Sequence, residues 1–184
     1  MLCKGVVIEM GRQNDTLETI FKLRRSCRAY NPEMKIPRED LETIVRAGRY
    51  APSGLNRQPW HFTVLTDLSI LGGERDRLRG ATALIFVSGS ETLSYLAKED
   101  CILATENMYL AAASLGIASC WTNYFVRDYF VTSAGKNMRK RLIPDGYTVY
   151  SASVFGYPAD PDFFSSRRLD KRSECVSFVE KTYQ

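Results

Sequence analysis

A single histidine, His61, is the only residue among the 184 whose unperturbed side chain changes charge near neutral pH. Nucleophilic triads are hard to build around it. His61 also stands at the start of a run of strand-forming residues, where a core or edge position suits it better than a catalytic one. No G-x-G-x-x-G, G-x-x-x-x-G-K-[ST], H-E-x-x-H or G-x-S-x-G occurs, so the classical dinucleotide, P-loop, zincin and hydrolase readings all weaken. The five cysteines, Cys3, Cys27, Cys101, Cys120 and Cys175, are odd in number and scattered, with no C-x-x-C pair. That pattern suggests neither a disulfide framework nor a zinc or other metal site, and reduced, mostly buried thiols are expected. No apolar run approaches the length of a membrane span, and MLCKGVVIEMGRQND lacks the apolar core and cleavage site of a signal peptide. A cytoplasmic protein without a membrane partner is the expectation.

What is present describes a chain able to bury a core. With 45% hydrophobic and 25% charged residues, residues 1–184 read as one globular domain, with 1–14 as an N-terminal extension. Lys and Arg number 25 against 21 Asp and Glu, and a net charge of +4 is too mild to imply nucleic-acid binding by itself. No internal repeat, low-complexity tract or Pro/Ser-rich linker divides the chain.

Hydrophobic spacing gives an alternating order of elements. From Asp15 or Thr16 as N-cap, LETIFKLRRS places Leu17, Ile20, Phe21 and Leu23 on one helical side and ends near Ser26. A second helix starts near Pro37, keeps Leu41, Ile44, Val45 and Gly48 inward, and stops at Pro52. HFTVLTD, ATALIFVSGS and TVYSASVFGYP read as strands bounded by turn residues. Between the last two, a helix from about Glu99 to Leu115 is apolar all round, which suits burial in a core or against another subunit. YFVRDYFVTSAGKNMRKRLI adds one or two more helices before Gly146 breaks the pattern. The fold class is α+β or a mixed α/β sandwich.

Two stretches are out of character with plain structure. RRSCR, residues 24–28, puts three guanidiniums and a hydroxyl at a helix-to-strand junction, a donor set suited to a phosphate or an anionic ring. Taken alone it reads first as a solvated helix end. APSGLNRQPWHF, residues 51–62, is a tight loop of turn formers between a helix and a strand that carries Ser53, Asn56, Gln58 and Trp60. A second basic pair, Arg167-Arg168, lies near the C-terminus in what resembles an exposed tail.

RRSCRAY, APSGLNRQPWHF, the long helix ATENMYLAAASLGIASCW and a C-terminal RRLDKR occur in this order, and the sequence from about Thr16 to Phe178 resembles the nitroreductase family of FMN-dependent oxidoreductases. The resemblance implies an α+β nitroreductase-like fold, with a central, mainly antiparallel sheet flanked by helices, in an intertwined homodimer. It implies that Arg24, Ser26 and Arg28 hold the FMN phosphate and the pyrimidine side of the ring, with Arg25 and Arg168 contributing to the phosphate anchor. It also implies that Pro52, Ser53, Gly54, Asn56 and Gln58 reach the same flavin from the other subunit, and that Asn123 and Tyr124 place a backbone N–H near flavin N5. Pro59 and Trp60 are expected to pack the strand entry. NADH or NADPH is the implied co-substrate, and the partner is a small electron acceptor such as a nitroaromatic or a quinone, met in a ping-pong cycle in which no side chain need act as acid or base. Two other readings stand beside this one: a flavin-binding sensor or store with little turnover, and a basic interaction domain that binds a polyanion.

Overall fold

The computed structural model describes residues 14–165 and 175–179. Arg167 and Arg168, and all but the last residue of the 1–14 extension, lie outside the described residues. The elements are α1 (Asn14–Leu23), α2 (Arg38–Arg49), β1 (Trp60–Leu65), β2 (Ala83–Gly89), α3 (Ala97–Ser114), β3 (Ala118–Trp121), α4 (Ser133–Leu142) and β4 (Thr148–Gly156). They form an α+β fold around one four-stranded sheet of order β1-β2-β4-β3, antiparallel at every pairing.

β2 explains how the sheet carries two cores. Its residues ALIFVSG are buried throughout, and their period-2 alternation sends Ala83, Ile85 and Val87 to one face and Leu84 and Phe86 to the other. The first face is covered by α2 and α3 through Leu41, Ile44, Met108 and Tyr109. The second is covered by the segment after β3, where Phe86 meets Phe125 and Phe130 at ring-centroid distances of 5.8 and 5.3 Å.

The three expected strands are present as β1, β2 and β4, and the second helix starts near Pro37 as expected, although Pro37 stands just before its first turn rather than in it. Asp15 and Thr16, read as caps, instead lie inside the first turn of α1, and that helix ends at Leu23 rather than Ser26. Its expected inward face is only partly covered, since Leu17 and Phe21 remain about half exposed. The long helix starts two residues earlier than expected, and one broad stripe from Ala97 to Ala113 faces the core. On its open side Leu103 stays about half exposed. The YFVRDYF stretch forms a π-helical turn, Phe125–Tyr129, before α4. Two elements escaped the spacing rules altogether: the short strand β3, and the 3-10 turns of Leu68–Leu78, which break at Gly72 with φ +56°.

Pro59 is buried and Trp60 half-buried, with the Pro59 carbonyl accepting from Ser90 N–H at 3.0 Å, as strand-entry packing requires. His61 sits half-buried on the edge strand β1 with its ring 5.9 Å from that of Tyr147. Among the described residues no helix is long and apolar enough to cross a membrane.

Candidate functional site

The RRSCR segment leaves α1 and continues as extended chain along β3. Ser26 pairs in parallel with Ser119, and Cys27 N–H donates to the Ser119 carbonyl at 2.9 Å. Alternation then buries Cys27 and leaves Ser26 and Arg28 exposed. Burial pushes the Cys27 thiol pKa up, and the thiol donates to Ala29 O at 3.1 Å. It behaves as core rather than as a nucleophile. Arg24 has a side chain only 23% exposed, and its Nε lies 3.5 Å from Glu106 Oε1 on α3. The Arg25 guanidinium sits 4.3 Å over the Phe163 ring, so that side chain packs against the C-terminal segment. Arg28 lines a cavity of about 120 Å³ with Arg77, Arg79, Trp121 and Thr122.

The second expected group is the loop after α2. Ser53 caps a 3-10 turn at Gly54–Asn56, and its hydroxyl accepts from Gln58 N–H at 3.0 Å. Leu55, Asn56 and Gln58 all have positive φ, at 52°, 55° and 47°. For residues with a Cβ this left-handed backbone costs of order 1 kcal/mol each, and such strain persists only where the surroundings over-determine it. The determinants are visible. Asn56 N–H donates to Ser53 O at 2.9 Å and Arg57 N–H to Gly54 O at 3.1 Å, while Gln58 Nε2 reaches Asn56 Oδ1 at 3.2 Å.

The loop is tied to α3 by a residue that sequence reasoning missed. Asp100, in the first turn of α3 and 3% exposed, accepts from Gly54 N–H at 3.1 Å and from the Ser94 hydroxyl at 3.2 Å. An acid on the inward side of an apolar helix was the available signal, in KEDC.

Asn123 and Tyr124 follow β3 directly. The Asn123 carbonyl accepts from Val126 and Arg127 N–H at 3.1 and 2.9 Å and so opens the π-helical turn, at whose head the Asn123 and Tyr124 N–H groups make no hydrogen bond among the described residues. Leading amides of a helical turn are free for an outside acceptor. The Tyr124 side chain is held elsewhere. Arg77 lies 4.0 Å over its ring, and a hydrogen bond with Glu74 is the first cause raising its pKa. Glu74 also accepts from Arg77 Nε at 3.0 Å, so the short link between Trp60 and Ala81 holds one side of Tyr124, while its ring packs on Phe125 and Tyr129 at 5.4 and 6.1 Å.

The candidates therefore form two groups in one chain. Arg24, Ser26 and Arg28 share the β3 side of the fold with Asn123 and Tyr124, whereas Pro52, Ser53, Gly54, Asn56 and Gln58 are fastened at the start of α3. Glu106, the partner of Arg24, lies about 9 Å further along that helix than Asp100. Among the described residues no hydrogen bond or ion pair joins the loop to Arg24, Ser26 or Arg28. Arg168 lies outside the described residues. Among those described, no three His, Cys, Asp or Glu side chains are grouped to hold a metal ion.

Residues 22–71 and 69–143 match the model of the nitroreductase family. A protein of Archaeoglobus fulgidus, provisionally named an NADH dehydrogenase/NAD(P)H nitroreductase, is 37% identical over 155 residues, 78% of this chain and 86% of its own length. The crystal structure of a nitroreductase with bound FMN from Bacteroides fragilis superposes with a TM-score of 0.77 at 31% identity, covering 91% of this chain and 100% of that one. A nitroreductase from Desulfovibrio desulfuricans in complex with FMN gives 0.70 at 25% identity over 91% and 98% of the two chains.

Proposed function

The chain belongs to the nitroreductase family, and from that premise we propose that it is a cytoplasmic FMN-dependent oxidoreductase that takes reducing equivalents from NADH or NADPH and delivers them to a nitroaromatic, quinone or similar small acceptor. The observation that carries the reading is the R-x-S-x-R segment, held extended against β3 with Ser26 and Arg28 exposed on the same side of the fold as the free Asn123 and Tyr124 amides. That donor set fits FMN. Guanidinium and hydroxyl suit its phosphate, and unbonded backbone N–H groups suit the polar edge of its ring.

When bound, FMN would supply the hydride chemistry of a ping-pong exchange between NAD(P)H and the acceptor. The chain's own residues bind and tune. Arg24 and Ser26 anchor the phosphate, with Arg25 beside them and Arg168 assigned on sequence alone. Arg28 sets a cation beside the pyrimidine edge. Pro52, Ser53, Gly54, Asn56 and Gln58 serve the flavin of a second copy of the chain, as the family resemblance implies. The functional unit in this proposal is a homodimer with a flavin site at each end of the shared interface.

The visible spectrum of the purified protein, before and after anaerobic NADPH or NADH, tests the reading. A yellow protein bleached rapidly by either nucleotide is expected. Yellow protein that is barely reduced would favour a sensor or store, and protein that stays colourless even after incubation with FMN would favour a polyanion-binding domain.

Arg28→Gln provides a finer check. A cation at the pyrimidine edge stabilises the reduced ring, where negative charge accumulates, more than the oxidised one. Its removal should lower the flavin midpoint potential by about 30 mV for each 1.4 kcal/mol of differential stabilisation lost, while much of the FMN stays bound. An unchanged potential in spectroelectrochemistry would remove Arg28 from the ring.

A further inference from the structure

We propose that Asp100 is the positioning residue of the flavin-binding loop: its buried carboxylate holds Gly54 and thereby keeps residues 53–58 in the strained shape that presents Ser53 and Asn56 to the cofactor. The inference rests on the FMN reading for its functional half, and on hydrogen bonds in this chain for its structural half.

Most of the bonds that shape the loop are internal to it. Ser53 to Gln58, Ser53 to Asn56, Gly54 to Arg57 and Asn56 to Gln58 fix its turns relative to one another but say nothing about where the loop stands. From residues 53–58 only two described hydrogen bonds reach the body of the protein. One is Arg57 Nη1 to the Leu93 carbonyl at 3.3 Å, from an exposed side chain, and the other is Gly54 N–H to Asp100 Oδ1. The second is the stronger, because its acceptor is a carboxylate, buried, at the positive end of α3, and fixed through Oδ2 by Ser94. Gly54 makes the contact close. A Cβ there would come within 3.1 Å of Leu96 Cδ1. Three left-handed residues with side chains follow in the next four positions, so freeing Gly54 releases the strain that they hold.

The test combines amide hydrogen exchange of the apoprotein with FMN titration of four proteins: wild type, Asp100→Ala, Asp100→Asn and Thr105→Ala. Thr105 is buried in the same helix, where its hydroxyl donates to the Cys101 carbonyl rather than to the loop, so its variant reports general loosening of α3. Asp100→Ala should speed exchange at residues 53–58 at least tenfold and raise the FMN Kd about tenfold. Asp100→Asn, which keeps an acceptor for Gly54, should restore the Kd to within about threefold, and Thr105→Ala should lower the melting temperature while leaving loop exchange and Kd at wild-type values. Unchanged loop exchange in Asp100→Ala would overturn the anchor, whether or not the protein binds FMN. Faster exchange with a wild-type Kd would overturn the role toward FMN, as would a parallel loss in Thr105→Ala. If the wild type binds no FMN, the flavin reading falls and the anchor is judged on exchange alone. Should Asp100→Ala not fold, Ser94→Ala removes one partner of the carboxylate, and loop exchange must then rise about threefold for the proposal to stand.

Discussion

Arg24→Ala is expected to weaken FMN binding about 10- to 100-fold, because a charge-assisted phosphate contact contributes about 1.5–3 kcal/mol. The partly buried setting of Arg24 supports the upper part of that range. Its side chain is 23% exposed and already faces the Glu106 carboxylate, so the guanidinium is drawn out of bulk water and aimed before any ligand arrives. Lys22, two residues away, is the control. Its side chain is 69% exposed and pairs with Glu18 one turn back on α1, a solvent-screened arrangement that contributes little. Lys22→Ala should therefore leave the Kd within about twofold. Fluorescence titration of FMN onto the two apoproteins compares them directly, and equal dissociation constants would sink the phosphate assignment.

The parts of this architecture that were legible in the sequence are those whose signal is local and repeated. β2 announces itself through seven residues of strand-forming character, and α2 through Leu41, Ile44 and Gly48 at helical spacing after Pro37. β3 was not legible, because ASCW is four residues long and continues the small, apolar pattern of α3 without a turn signal other than Gly116. The Leu68–Leu78 turns hide for another reason: 3-10 geometry has no amphipathic period of its own, and LSILGGERDRL is broken by Gly72.

The site divides in the same way. RRSCR and APSGLNRQPW could be singled out by chemistry, and assigned by resemblance, because their unusual residues are contiguous. Asp100 could not, since what makes it special is Gly54, which is 46 residues away in sequence, and an acid in the first turn of a helix needs no other explanation. Nor could the strain of the loop be read. Of its three left-handed residues only Asn56 belongs to a type that adopts that backbone readily, while Leu55 and Gln58 are placed there by the fold. Tyr124 shows the converse. Its position after β3 was found by resemblance, but its clamping between Arg77 and Glu74 depends on a link that carries no motif.

Mixing two damaged homodimers should regenerate intact flavin sites, and this is the sharpest consequence of the two-chain arrangement. Arg24 lies on the segment beside β3, and Asn56 on a loop fastened to the start of α3, with no bond between the two groups among the described residues. On α1 and α3, Leu17, Phe21 and Leu103 stay about half exposed, which is compatible with the proposed second copy. If each site takes Arg24 from one chain and Asn56 from the other, Arg24→Ala and Asn56→Gly each damage both sites of their own homodimer. Glycine is the better replacement at position 56, since it removes the side-chain amide yet accepts φ of 55° without the penalty that alanine would add. In the heterodimer one site carries both lesions and the other neither. After dissociation and random reassociation of equal amounts, half of the dimers are mixed, so about a quarter of all sites should bind FMN with wild-type affinity, as closed two-fold symmetry requires. Equilibrium titration would resolve that quarter as a separate tight phase. Its absence, with heterodimers confirmed by native mass spectrometry, would mean that each flavin is bound within one chain or that these two residues do not bind it.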